Sequence, residues 1–121
     1  MQETELPNAP LIAVRAAESK KATDIRVLDL RGISSFTDFF VLCSGSNVRQ
    51  IQAIADEIEA QLRQHGERPL GIEGYDKADW VLADYGSFIV HIFSRQAREF
   101  YDLERLWRSA KEIKIPAEVQ Q

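Results

Sequence analysis

Cys43, His65 and His91 carry the side chains best suited to metal binding, nucleophilic attack or proton transfer in this 121-residue sequence. None falls in a C-x-x-C or H-x-x-x-H spacing, so neither a metal nor any other cofactor is expected. His65 closes a polar helical stretch and is read as solvated. Cys43 and His91 would make a nucleophile and its base, but Cys43 sits in an apolar run, where a buried thiol is inert. The segment Ser44-Gly45-Ser46-Asn47 lies between a strand and a helix, a place where backbone N–H groups can face phosphate. Metal-dependent nucleotidyl transfer also needs two or three converging carboxylates. The nearest downstream acids, Asp56, Glu57 and Glu59, fall within a helix and read as a solvated face. Ser46 or Asn47 is instead expected to cap that helix. Asp84 and His91 are the remaining pair. They suit an acid and a base, a buried hydrogen bond, or polar anchors in a binding patch. No third catalytic partner accompanies them, so binding or structure is the preferred reading and no enzyme activity is expected.

The elements that position these residues follow from periodicity and punctuation. A first helix is expected from Asn8, with Pro10 in its first turn and Leu11, Val14 and Ala17 as its stripe. Asp24 to Leu30 alternates as a strand, and Gly32 turns the chain. Asp38 to Ser44 is nearly continuously apolar, which suits a central strand buried on both faces. Gly45 ends it. The clearest helix runs from about Val48 to His65, with Asn47 as N-cap, Gln50 as its capping-box partner and Gly66 beyond its end. Ile51, Ile54, Ala55, Ile58 and Leu62 form its apolar face. Pro69 to Ile72 reads as a short edge strand.

Asp79 to Tyr85 and Ser87 to Phe93 then form a hairpin through a two-residue loop. Its parity puts Val81, Ala83, Tyr85, Phe88, Val90 and Ile92 on one face, read as core. Trp80, Leu82, Asp84, Ile89, His91 and Phe93 share the other. A last helix is expected from Ser94 to about Ala110. Phe100, Leu103 and Trp107 would be its stripe, and Arg95–Glu99, Arg98–Asp102 and Glu104–Arg108 its ion pairs. Residues 1–7 and 111–121 are expected to be flexible ends around a single domain spanning residues 8–110. The fold class is therefore a small α/β sandwich, with a mixed, roughly five-stranded sheet flanked by helices.

Bulk composition narrows the function. A 45% hydrophobic and 28% charged chain is an ordinary globular one. Its net charge of −4 argues against a phosphate backbone as the main partner, because such binders cluster Lys and Arg. No sequence-specific nucleic-acid contact and no membrane partner are expected. One cysteine excludes an internal disulfide and fits a reducing compartment. The first residues lack the pattern of a signal peptide, and the expected location is the cytoplasm. Both Trp, all three Tyr and three of the six Phe lie between Gly74 and Trp107, interleaved with polar groups. That mixture reads as a recognition surface. Trp80 alternates onto the mixed face beside Asp79 and Asp84, and Trp and Tyr are the residue types enriched at binding hot spots.

Five ordered segments carry a family resemblance: Asp24 to Leu30, Thr37 to Asn47, Ala78 to Gly86, Val90 to Phe93 and Phe100 to Trp107. They resemble the ribosomal silencing factor (iojap-like) family of bacteria and organelles. The resemblance implies a nucleotidyltransferase-like fold without catalytic acids. It implies docking on ribosomal protein L-fourteen of the large ribosomal subunit, at a site that would otherwise bridge to the small subunit. Steric block of subunit joining would then repress translation when nutrients are short. It further implies a homodimer in the free state. Carried over by position, the contact patch looks like Trp80, Asp84 and Tyr85, with Leu82 and His91 beside them. Parity and resemblance disagree on Tyr85, which parity assigns to the core face. Two other readings remain open: a small nucleotide-binding or nucleotidyltransferase-type enzyme using the Ser44–Asn47 turn, and a factor for large-subunit assembly using the same patch.

Overall fold

A computed structural model of the protein describes residues 6–117. The expectations for residues 1–5 and 118–121 lie outside the described residues. Six strands, β1 (Thr23–Asp29), β2 (Phe39–Gly45), β3 (Gly71–Glu73), β4 (Trp80–Asp84), β5 (Phe88–Ser94) and β6 (Lys111–Ile113), form one sheet in the order β3-β4-β5-β2-β1-β6. The β2–β5 pair is parallel and the other neighbours are antiparallel, so the sheet is mixed. The helices are α1 (Asn8–Ser19), α2 (Val48–Gln64), α3 (Arg95–Tyr101) and the single turn α4 (Leu103–Leu106).

β2 is buried along its whole length, as a continuously apolar run requires of a strand covered on both faces. Period-two alternation sends Phe39, Val41 and Cys43 to one side and Phe40 and Leu42 to the other. On the first side the apolar stripe of α2 and the buried face of α1 close over β2, β4 and β5 to form the main core. Burying one side chain such as Phe88 or Ile54 there stabilises the fold by about 1.5–3 kcal/mol. The second side has a smaller core, in which Leu28, Leu30, Phe40, Leu42, Ile89 and Phe93 meet Ala97 and Leu103 of the short helices.

Several expectations change. The sheet has six strands, not five, because Lys111–Ile113 is not a fraying tail. It pairs antiparallel with β1 and buries Ile113. Alternating Lys111, Glu112 and Ile113 is short and charged, which suits an edge strand that must not recruit further strands. Asn8 is the first residue of α1 and not its cap; Pro7 holds the N-cap position and makes no side-chain capping hydrogen bond. The third strand is Gly71–Glu73, shifted past Pro69. The expected helix from Ser94 to Ala110 breaks at Asp102, which adopts a left-handed φ of 50°. Among the described residues none of the three expected i,i+4 pairs forms, although Arg95 and Glu99 both lie within α3. Arg98 instead pairs with Glu104, at 2.9 Å and 3.2 Å from its two oxygens. The break scatters the expected stripe: Leu103 is buried, Trp107 half-buried and Phe100 79% exposed.

The hairpin keeps its expected parity. Tyr85 N–H donates to the Phe88 carbonyl across the two-residue loop Gly86-Ser87. Gly86 sits at φ +87°, the conformation a glycine supplies at the first loop position of a II′ turn. The entry to β4 is tighter. Gly74 lies at φ +81°, and a Cβ there would stand 2.2 Å from the Trp80 carbonyl oxygen. We expect Gly74→Ala to lower the unfolding free energy in urea by about 1–3 kcal/mol. Gly71→Ala, where a Cβ meets nothing within 4 Å, should stay within about 0.5 kcal/mol of wild type.

Candidate docking face

Two long helices cover one face of the sheet, and α3–α4 cover only part of the other. What they leave is an aromatic surface centred on Trp80. This residue opens β4, where Asp79 ties the strand to the start of α3. The Asp79 carbonyl accepts from Ser94 N–H at 2.9 Å, and its carboxylate accepts from Ser94 Oγ at 2.7 Å. Ser94 Oγ in turn accepts from Ala97 N–H and caps α3. Around the half-buried Trp80 ring stand Tyr101 at 4.6 Å, Phe93 at 5.1 Å and His91 at 5.9 Å between centroids. The contacts run on through His91–Phe40 (4.5 Å), Phe40–Trp107 (5.6 Å) and Trp107–Phe36 (6.0 Å). Tyr101 is 46% exposed and Phe36 58% exposed. The band thus crosses β4, β5 and β2 and reaches solvent at both ends.

Of the five residues singled out by sequence, four share this face. Trp80, Leu82 and Asp84 are half-buried, and His91 lies opposite Leu82 in the β4–β5 register. Asp84 has local work as well, since its carboxylate accepts the Gly86 N–H at 2.8 Å and fixes the hairpin turn. His91 is only 3% exposed, and its Nδ1 stands 3.0 Å from Trp80 Nε1. Tyr85 points to the opposite, helix-covered side. It stacks on Phe88 at 5.0 Å, is 7% exposed, and burial pushes its hydroxyl up to about 12. Phe36 and Phe40 were not singled out by sequence. The alternation of β2 already sends Phe40 to this face. Phe36, in the preceding loop, leaves no sequence signal.

The groups that suit catalysis are kept apart. Cys43 faces the α1–α2 core and His91 faces the other side of the sheet. Burial pushes the Cys43 thiol up to about 12. At the Ser44–Asn47 turn Ser46 uses both its donors internally and Asn47 caps α2. Asn47 Oδ1 accepts from Gln50 N–H at 2.8 Å, while Gln50 Oε1 accepts from Ser46 N–H at 2.6 Å and from Ser46 Oγ at 2.9 Å. Asn47 thus caps the helix through Gln50 N–H as expected, while the Gln50 side chain returns to Ser46 N–H, one residue before the Asn47 N–H of a capping box. A polar cleft of about 450 Å³ opens nearby between Asp24, Arg26, Arg95 and Arg98. Arg98 there is engaged by Glu104, Ser44 Oγ and the Asp24 carbonyl. Among the described residues, no three His, Cys, Asp or Glu side chains are grouped to hold a metal. No helix among them is long and apolar enough to cross a membrane.

Burial holds the His91 ring neutral, down to about 3 from its ordinary 6.5. As pH falls below about 6.5 the unfolded chain takes up a proton that the folded chain refuses. Stability should therefore fall by about 1.4 kcal/mol per pH unit for that one proton, down to about pH 3. Asp29 and Glu104, held below the ordinary carboxylate range by Arg31 and Arg98, add to the loss only at the acid end of this window. Urea unfolding at pH 7, 5.5 and 4.5 should show this slope in wild type. His91→Phe should lose one proton's share of it.

Comparison with known proteins points to one family. The family model described as "Ribosomal silencing factor during starvation" matches residues 3–121. The ribosomal silencing factor RsfS of Bacillus subtilis is 44% identical over 99 residues, covering 82% of this chain and 84% of that one. The protein of the same name from Haemophilus influenzae is 46% identical over 87 residues, covering 72% and 85%. A crystal structure of a Chromobacterium violaceum protein superimposes with a TM-score of 0.83 at 29% identity, covering 95% of each chain.

Proposed function

The chain belongs to the ribosomal silencing factor family, and from that premise we propose that it docks through the Trp80 face on ribosomal protein L-fourteen of the large ribosomal subunit. Occupying that site blocks joining with the small subunit and represses translation under nutrient limitation. The action is steric. It needs a rigid patch and the bulk of one domain behind it, with no cofactor and no reaction. We place it in the bacterial cytoplasm, where its target is.

The observation that carries this reading is the aromatic band centred on Trp80, which the described chain leaves half-open on a sheet otherwise closed by helices. Aromatic anchors with polar neighbours are the usual make-up of an interface hot spot. Asp79 precedes Trp80 and Asp84 stands at the far end of β4 on the same face, so a partner with a basic rim is favoured and a phosphate backbone is not. At the Ser44–Asn47 turn the Ser46 N–H and hydroxyl are already held by Gln50, which leaves fewer donors for a phosphate and speaks against the nucleotide-binding alternative.

Co-sedimentation with purified large subunits tests the reading. Wild type should pellet with them. Trp80→Ala, with its fold checked by circular dichroism, should bind about 30-fold more weakly, the scale of a 2 kcal/mol hot spot. Equal pelleting of the two proteins would move the docking surface elsewhere. Preferential binding to immature particles would favour an assembly role over silencing.

The same face supports a homodimer when no ribosome is present, with Tyr101 against Trp80 and Phe100 and Leu106 exposed on the same short helices. Sedimentation velocity at micromolar concentration should show a dimer. Finding only monomer would refute it.

A further inference from the structure

His91 is a costly residue for its position. It lies in the middle of β5, flanked by Val90 and Ile92 in sequence and packed among Phe40, Phe93 and Trp80. Every other residue from Phe88 to Phe93 is apolar. An apolar side chain would fill the same volume with no polar atom to satisfy. The imidazole instead leaves its Nε2 buried, with no hydrogen-bond partner among the described residues. An unmet buried donor or acceptor costs about 1–3 kcal/mol.

The compensation is at the other nitrogen. An indole N–H can only donate. Trp80 Nε1 lies 3.0 Å from His91 Nδ1, so Nδ1 is the acceptor and the neutral ring carries its proton on the unpaired Nε2. Trp80 is the half-open centre of the aromatic band, and its indole N–H points inward to this acceptor rather than to solvent.

From this geometry we infer that His91 is a positioning residue for docking: its Nδ1 accepts the Trp80 indole N–H, fixes the ring and turns only its apolar surface toward the partner. The inference rests on the docking reading above and deepens it. It also gives the partner a chemistry. The surface that covers Trp80 is aliphatic or aromatic and offers no acceptor to the indole, whose donor is already used. His91 itself stays beneath the interface. A partner atom reaches Trp80, Leu82 and Tyr101 before it reaches the imidazole, which is 3% exposed.

The test compares His91→Phe, which keeps a ring and removes the acceptor, with His91→Asn, whose Oδ1 takes the place of Nδ1. Both are made in wild type and in a Trp80→Phe background. The first readout needs no ribosome. The ¹⁵N-labelled Trp80 indole N–H resonance should exchange slowly with solvent in wild type and in His91→Asn, and rapidly in His91→Phe. Unchanged exchange in His91→Phe overturns the inference, whatever the protein binds. The second readout is the Kd for large subunits. His91→Phe should raise it about tenfold, the equivalent of one hydrogen bond, and His91→Asn should restore most of the loss. In the Trp80→Phe background, where no indole remains, His91→Phe should cost nothing further. Equal cost in both backgrounds would mean that His91 touches the partner or merely supports the fold, and would overturn the positioning role. If wild type binds no subunits while the indole exchange behaves as expected, the docking reading fails and the Trp80–His91 geometry stands.

Discussion

Period-two alternation in a sheet with unequal cover decides where the strand side chains of this protein go. Every strand residue goes to one of two faces. Helices α1 and α2 are long enough to seal one of them. The other receives only α3 and one further turn, because the chain turns left-handed at Asp102 before a longer helix can form. A continuous helix from Ser94 to Ala110 would carry Trp107 along the axis of α3. The break returns the chain across the sheet instead, so that Trp107 lies against Phe36 and Phe40. The surface remaining between the short helices and the sheet edge is the aromatic band. The function proposed here is a consequence of that unequal cover.

Polar staples hold the open face in one shape. Arg98 reaches the β1 backbone at Asp24, the β2 side chain of Ser44 and both oxygens of Glu104. One guanidinium thereby joins two strands to α3 and α4. Its planar fork suits this better than an ammonium would, because several acceptors are met in fixed directions. Asp79 and Ser94 do the same between β4 and α3. The Trp80–His91 hydrogen bond belongs to this set, and it fixes a side chain of the face itself.

Much of this was legible in the sequence. The burial of Phe39 to Ser44, the Asn47 cap and the two-residue hairpin follow from local residue types, and each was readable without tertiary context. The hairpin parity placed Trp80, Leu82, Asp84 and His91 together and sent Tyr85 away from them. What was hidden depended on distant contacts. Lys111–Ile113 is too short and charged to read as a strand, and becomes one only because the edge of β1 is vacant. No glycine or proline near Asp102 signals a break, Leu103 to Leu106 are good helix formers, and the competing Arg98–Glu104 pair forms only in the folded chain. The depth of His91 was equally invisible. Alternation gave its face, while its burial comes from Phe40 on another strand.

Hydroxyl-radical footprinting of the protein, alone and saturated with large ribosomal subunits, would show which face of the sheet is covered. Trp80, Leu82, Tyr101 and Phe36 should lose reactivity on binding, while Leu11 and Ile12 on the α1 side stay unchanged. Protection of the α1–α2 side, with Trp80 and Tyr101 as reactive as before, would contradict the account.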